Sequence, residues 1–168
     1  MNGSPRPRYG VYAPICSNKG VAFFGRDSES TLPVWSSREG FPGNPVYREF
    51  HKDLGWELSS SELQKKGIPT SRPLGLKFHR ITDNKALLEK KEFYLEDEAI
   101  KKVEEHADIY LLSRSKQLKN LTMSSAFDPL LIAPFDAELF GHWWYEGPRF
   151  IEFILKKSTN YSLSLIHI

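Results

Sequence analysis

One stretch of strict periodicity limits the folds open to this chain more than any other feature. Between residues 96 and 121, apolar side chains recur mostly at three- and four-residue spacing, which predicts a long amphipathic helix. Its first turn is acidic, as the helix dipole favours at an N-terminus. The apolar positions are Ala99, Val103, Ala107, Tyr110, Leu111, Leu118 and Leu121. We expect this face to be buried in a core.

A short apolar run follows the predicted helix. Leu130 to Phe135 read LLIAPF and predict a strand that is buried on both faces, as in a parallel sheet. Pro148 then opens a second helix, because proline is favoured at the first helical position. The predicted buried stripe of this helix contains Phe150, Ile151, Ile154 and Leu155. The order helix, strand, loop, helix is typical of an α/β barrel or a doubly wound sheet, so the predicted fold class is α/β.

The first half of the chain is richer in turns. Residues 1–26 predict a loop and a short strand or hairpin, with turn-forming residues at 18–20. Residues 27–56 predict a long loop with many aromatic side chains. Such a loop suits a lid over a ligand, and the alternative is that its rings pack into the core. Residues 74–82 alternate between the two faces of an extended chain and predict a strand.

The composition argues against several classes of protein. The net charge of +2 is spread over interspersed acidic and basic residues, which argues against a nucleic-acid partner and favours a neutral partner such as a sugar. Cys16 is the single cysteine, so an internal disulfide is impossible. No apolar run approaches the roughly 20 residues of a membrane span, and we expect no signal sequence. These features predict a cytoplasmic protein without a membrane partner.

A dense set of chemically active side chains follows the apolar run. Asp136 stands directly after it, at the end of a strand, where the catalytic groups of α/β barrels gather. The residues behind it are Glu138, His142, Trp143, Trp144, Tyr145 and Glu146. Carboxylates suit acid/base chemistry, and aromatic faces stack on sugar rings. The set is therefore typical of glycoside cleavage or transfer, which needs two carboxyl groups across the scissile bond.

The spacing leaves the second carboxyl group open. Asp136 and Glu138 share a face of the predicted strand, but groups so close along the chain would lie on the same side of a substrate. The alternative for Glu138 is a hydrogen bond to nearby backbone or to a helix start. A divalent metal held by Asp136, Glu138 and His142 is a further alternative. The prediction is that the site holds no metal.

The segment from Pro134 to Phe150, PFDAELFGHWWYEGPRF, resembles the sequence around the catalytic aspartate in the branching enzymes of glycoside hydrolase family 57. Five further blocks resemble that family in the same order and extend the similarity over about residues 5 to 157. They are RPRYGVYAPI, GVAFFGRDSES, VWSSREGFPGNPVYREFHKDLGW, GLKFHRIT and EHADIYLLSRSKQL.

This resemblance implies a partial, distorted (β/α)7 barrel with aromatic-rich loop insertions. It implies retaining 1,4-α-glucan branching, which makes α-1,6 branches in a glycogen-like glucan without a cofactor. Asp136 is implied as the general acid/base, and the nucleophilic glutamate belongs to an earlier block that this chain does not contain. Phe41 is implied at the tip of a mobile loop, where many family members carry tyrosine. The implied substrate-binding residues are Trp35, Phe41, Arg72, Phe78, His79, His142 and Trp143.

Two other functions suit the same residues. One is an α-amylase or a 4-α-glucanotransferase on the same fold, and the other is a non-catalytic glucan-binding protein. We expect residues 1–157 to be part of a catalytic barrel truncated at both ends, whose partners are α-glucan and the rest of its own catalytic and helical domains. Residues 158–168 are expected to be a non-native or disordered tail. The isolated chain is expected to be inactive.

Overall fold

A computed structural model of the chain describes residues 7–36, 39–83, 85–124 and 126–165. The described part is mostly helical, and its sheet structure is a single antiparallel pair of short strands. The strands are β1 (Ile15–Cys16) and β2 (Ala22–Phe23). The α-helices are α1 (Ser28–Trp35), α2 (Leu54–Glu57), α3 (Ser60–Lys65), α4 (Glu96–Ser124) and α5 (Gly147–Lys157). Four 3-10 helices span Phe41–Gly43, Leu88–Lys90, Ala137–Leu139 and Ser158–Tyr161.

The hairpin of β1 and β2 confirms the turn predicted at residues 18–20. Ile15 pairs with Phe23 across the two strands. Gly20 has a φ of +80°, a left-handed conformation that glycine adopts without steric cost. The Ser17 hydroxyl accepts hydrogen bonds from the backbone N–H groups of Lys19 and Val21, and these bonds close the turn.

Helices α4 and α5 form the body of the structure and pack against each other. Helix α4 confirms the helix predicted from residue 96, and α5 begins at Gly147 with Pro148 in its first turn, as predicted. The core residues are Val34, Tyr47, Ala99, Val103, Ala107, Tyr110, Leu139, Trp144 and Phe150. Among the described residues, no helix combines the length and the apolarity that crossing a membrane requires.

The predicted stripe of α5 is right for three residues and wrong for the fourth. Phe150 is fully buried, and Ile151 and Ile154 pack against the core. Leu155 is 51% exposed. It follows Ile154 directly, and one helical residue turns the side chain by about 100° around the axis. That rotation carries Leu155 away from α4.

Helix α1 lies where the sequence predicts a loop. Its N-cap is Asp27, whose carboxylate accepts hydrogen bonds from the backbone N–H groups of Glu29 and Ser30. The same carboxylate accepts from Gln117 Nε2 of α4 at 3.0 Å. Arg114 of α4 donates to Glu29 at 3.0 Å. The prediction was wrong because a helix of eight residues with a proline inside it has little periodicity of its own, and contacts with α4 stabilise it.

The buried parallel strand predicted at residues 130–135 is absent from the described structure. The segment is extended, and the Leu130 N–H donates to the Tyr12 carbonyl at 2.9 Å. The Ile132 carbonyl accepts from the Asp27 N–H at 2.8 Å. These single bonds do not form a ladder, and most of the segment is half-buried. A central parallel strand requires paired neighbours along both edges, so the sheet predicted from this run is not present among the described residues.

Residues 74–82 are extended but do not form the regular strand that the alternation predicts. Two isolated bridges pair Arg80 with Arg48 and His79 with Phe93. The segment therefore lies between two neighbouring stretches of chain, which hold it by separate hydrogen bonds. One of these bonds runs from the Glu49 N–H to the His79 carbonyl at 2.8 Å.

The end of the described chain packs on α4. Residues Ser158–Tyr161 form a 3-10 helix, and the Tyr161 hydroxyl donates to Asp108 at 2.8 Å. Lys157 pairs with Glu104 at 2.7 Å and with Asp108 at 2.8 Å. Residues 158–163 thus contact the helical body, and the expectation of a non-native or disordered tail over residues 158–168 stays a prediction. Residues 166–168 lie outside the described residues.

Candidate active-site groove

An open groove with a volume of about 560 Å³ crosses the surface of the described structure. Two segments supply most of its lining. We call residues 48–51 the strip and residues 136–144 the aspartate loop. The groove is lined by Trp35, Pro42, Gly43, Arg48, Glu49, Phe50, His51, Ile81, Lys91, Asp136, Glu138, Leu139, Trp143 and Trp144.

Asp136 is exposed at the start of the aspartate loop. It occupies the N-cap position of the 3-10 helix Ala137–Leu139, yet its carboxylate makes no capping hydrogen bond there. Its backbone carbonyl, in contrast, accepts from the Leu139 N–H at 3.1 Å. The backbone thus turns at Asp136 while the carboxyl group remains available to a ligand in the groove. Glu138, two residues further on, lines the same groove.

Aromatic rings form the apolar part of the groove. Phe50 of the strip lies 4.5 Å from Trp143 of the aspartate loop, measured between ring centroids. The Lys77 ammonium lies 3.7 Å from the Phe50 ring centroid, a cation–π contact. Trp143 is 53% exposed, and Trp35 is also exposed. Their exposed parts form an apolar surface in the groove.

The strip is held in place by buried polar contacts. Lys91 Nζ forms an ion pair with Glu49 at 3.1 Å, and both side chains are buried. The same ammonium donates to the Ile81 carbonyl at 2.6 Å. On the other side, the Arg48 N–H donates to Glu146 Oε1 at 2.9 Å. Burial raises the pKa of the Glu146 carboxyl above its ordinary value. The strip is therefore a rigid part of the groove and not a loose loop.

The structure brings three of the predicted site residues into the groove, namely Asp136, Trp35 and Trp143. His142 lies beside it, with its ring 5.3 Å from that of Phe50. Three others, Arg72, Phe78 and His79, do not line the groove. The His79 ring stacks on Phe93 at 5.0 Å instead.

Phe41, predicted at the tip of a loop over the site, packs towards the core. Its ring stacks on His106 of α4 at 4.6 Å and lies 5.7 Å from Phe150 of α5. A hydrogen bond of 2.7 Å joins the Tyr47 hydroxyl to His106 Nδ1 and holds the imidazole against Phe41. The groove is lined by Pro42 and Gly43, which follow this ring.

Sequence reasoning missed most of the strip and its supports. Residues 48–51 belong to the segment 27–56, which was predicted as an aromatic-rich loop suited to a lid, but none of the four was predicted as a site residue. Lys91 carried no signal. The alternation of charged and aromatic side chains in YREFHK, residues 47–52, is the one signal that points to a surface of this kind. Within the described residues, no group of three or more His, Cys, Asp or Glu side chains is placed to hold a metal ion.

A scan against protein-family models finds no match. Among curated proteins, the chain is 36% identical over 136 residues to the 1,4-alpha-glucan branching enzyme TK1436 of Thermococcus kodakarensis, covering 81% of the chain and 18% of that enzyme. Among solved structures, the alpha-amylase AmyC from Thermotoga maritima matches 89% of the chain and 29% of its own, with 41% identity and a TM-score of 0.83. A GH57-type branching enzyme from Pyrococcus horikoshii matches 94% of the chain and 26% of its own, with 30% identity and a TM-score of 0.78.

The fold of the chain thus matches part of the fold of carbohydrate-active enzymes. Over the aligned segment the chain is a homologue of the branching enzymes of glycoside hydrolase family 57, and the resemblance seen in the sequence is confirmed. The chain spans about a fifth of the length of the curated relatives that it matches.

Proposed function

We propose that the chain is a segment of the catalytic domain of a retaining 1,4-α-glucan branching enzyme, with Asp136 as the general acid/base. The observation that carries this proposal is the position of Asp136, exposed in a groove whose lining includes the indole rings of Trp35 and Trp143. An acid/base must reach the glycosidic oxygen, and the rings supply a surface for the neighbouring sugars.

In this proposal the reaction has two steps. Asp136 first protonates the glycosidic oxygen of an α-1,4 linkage while a glutamate from another segment of the enzyme attacks the anomeric carbon and forms a glycosyl ester. Asp136, now a carboxylate, then removes the proton from the 6-hydroxyl of an acceptor glucan. That oxygen attacks the anomeric carbon, the glutamate leaves, and an α-1,6 linkage forms.

The proposal also covers the fold, the partners, the product and the location of the enzyme. The chain contributes part of a distorted (β/α)7 barrel, which the TM-scores of 0.83 and 0.78 with family 57 neighbours support. Its partners are α-glucan and the remaining parts of its catalytic and helical domains. The branched product is a glycogen-like polysaccharide, and the site of action is the cytoplasm.

The test is Asp136→Asn in a full-length enzyme that contains this segment. Loss of the proton donor is expected to lower the branching rate about 10²- to 10⁴-fold, measured by the fall in iodine staining of amylose. Glu152→Gln on α5 is the matched control, because Glu152 pairs with Arg149 and Lys156 at the surface, outside the groove. A near-normal rate for the Asp136 variant would contradict the proposal.

A second candidate is hydrolysis or 4-α-glucan transfer on the same site. The specific observation in its favour is the identity of 41% with AmyC, an alpha-amylase from Thermotoga maritima. The two reactions differ in their products. A branching enzyme adds α-1,6 linkages to amylose, visible by ¹H NMR, whereas an amylase shortens the chains without adding such linkages.

A further inference from the structure

Glu146 is a buried carboxylic acid that the reaction does not use. It ends the segment that begins at Asp136, and its residue is only 3% exposed. Oε1 accepts the hydrogen bond from the Arg48 N–H, across 98 positions of the sequence. Oε2 is buried, and the Tyr94 hydroxyl interacts with the carboxyl group. The side chain therefore lies in the interior, joined to the strip by one backbone hydrogen bond.

Burial of this carboxyl group lowers the stability of the folded state. Burying a carboxylate is strongly unfavourable unless paired charges or hydrogen bonds compensate. The guanidinium of Arg48 is directed to the Tyr145 ring, with its carbon 3.5 Å from the ring centroid. A buried acid without full compensation at the edge of a site is typical of a residue with a functional task.

The hydrogen bond from the Arg48 N–H to Glu146 ties the strip to a residue two positions beyond the aspartate loop. Arg48 is the first residue of the strip, and Trp144, two residues before Glu146, lines the groove in the aspartate loop. Arg48 is held twice, because its backbone bonds Glu146 and its guanidinium covers the adjacent Tyr145 ring. No other backbone-to-side-chain hydrogen bond described for the strip reaches residues 136–146. This hydrogen bond at one end of the strip and the ring contact between Phe50 and Trp143 together set the distance between strip and loop.

We propose that Glu146 is a positioning residue that fixes the width of the groove by holding the strip against the aspartate loop. It acts through the backbone of Arg48 and does not touch the glucan. This inference rests on the proposed function for its consequence, since groove width matters only if a glucan binds there. The hydrogen bond itself is independent of that function.

The test uses the whole 168-residue chain and three variants of one position. Glu146→Gln retains an acceptor oxygen at the same distance from the backbone. Glu146→Asp retains the charge but is one methylene shorter. Glu146→Ala removes the acceptor oxygens and the charge. Glu152→Gln is the matched control on α5. The first readout is hydrogen–deuterium exchange of the Arg48 amide. Exchange is expected to be about tenfold faster in the Asp and Ala variants, the equivalent of one lost hydrogen bond, and unchanged in the Gln variant.

The second readout is the affinity for maltoheptaose, followed by tryptophan fluorescence, since Trp35 and Trp143 line the groove. The Asp and Ala variants are expected to bind about tenfold more weakly, whereas Glu146→Gln and Glu152→Gln bind like the original chain. The melting temperature of each variant shows whether weaker maltoheptaose binding is accompanied by a general loss of stability. A purely structural role for Glu146 would weaken binding only in proportion to the unfolded fraction.

The outcomes separate the two proposals. If the original chain does not bind maltoheptaose, the glucan assignment fails while the exchange readout still decides the contact. If Glu146→Asp is folded and its Arg48 amide exchanges at the original rate, the positioning role is overturned. It is likewise overturned if that amide exchanges faster while maltoheptaose affinity is unchanged. Should Glu146→Ala not fold, the Gln and Asp pair gives the same decision.

Discussion

The helical body and the N-terminal hairpin carry similar side chains in opposite environments. In the body, Phe150 and Val103 are fully buried. In the hairpin, Phe23 is 59% exposed and its neighbours Val21 and Ile15 are also exposed. A two-stranded hairpin on its own is marginally stable in water. The contrast teaches that apolar content does not locate the core of this chain, because apolar side chains are buried where loops and helices pack around α4 and α5.

The same contrast explains where the groove lies. Trp144 and Leu139 belong to the core cluster and also line the groove. The floor of the groove is therefore an extension of the packed interior, whereas no residue of the hairpin lines it. Substitutions in the body should affect both stability and groove shape, and substitutions in the hairpin should affect neither.

The largest effect on the free energy of unfolding is expected for Phe150→Ala. An unchanged free energy of unfolding would contradict the difference drawn between the helical body and the hairpin. The side chain is fully buried and contacts Trp144, Tyr110 and Phe41. Removing a buried phenylalanine costs about 3–5 kcal/mol, because apolar contacts are lost and a cavity remains. Urea unfolding of the chain measures this free energy. Leu155→Ala on the same helix is the control, and its exposed side chain should cost less than about 1 kcal/mol.

A smaller effect is expected from acid, because the body contains a buried histidine. Burial lowers the pKa of His106 to about 4, from an unfolded value of 6.5. Lys102 lowers it further and Glu105 opposes the shift. Folding therefore disfavours the protonated form. The stability due to the neutral imidazole is fully present above the unfolded pKa and is lost as the pH falls towards the folded pKa, by at most about 3 kcal/mol.

The measurement is urea unfolding at about pH 7 and about pH 4.5, for the original chain and for His106→Phe, which cannot titrate. The original chain should lose more stability on acidification than the variant. Glu146 acts in the opposite direction, since its raised pKa favours the fold at low pH, but it is present in both proteins and cancels in the difference. An equal loss in both proteins would show that His106 does not titrate as its burial implies.

The smallest effect is expected for Phe23→Ser in the hairpin. Because the ring is mostly exposed, the substitution should change the free energy of unfolding by no more than about 0.5 kcal/mol. The solubility of the Phe23→Ser variant should rise, since part of an exposed apolar patch is removed. A loss as large as that of Phe150→Ala would mean that the hairpin contributes to the core in solution and would remove the distinction between the two regions.

Much of the helical body was predictable because its signals are local. The periodicity of α4 and the proline at the start of α5 depend on residues three or four positions apart, as does the glycine turn of the hairpin. Asp136 was singled out by its neighbours in one short segment. The buried strand at residues 130–135 was predicted wrongly because an apolar run does not say whether neighbouring strands are present to pair with it.

The sequence by itself determined where α4 and α5 begin, where the hairpin turns, and which acid stands next to a cluster of aromatic rings. The tertiary structure alone decided that Glu146 reaches Arg48, that Phe41 turns inward onto His106, and that residues 48–51 line the groove with Asp136. The reason is physical. Caps, turns and helical periods are enforced by bonds between near neighbours, whereas contacts between distant residues arise from packing and leave no repeating pattern in the chain.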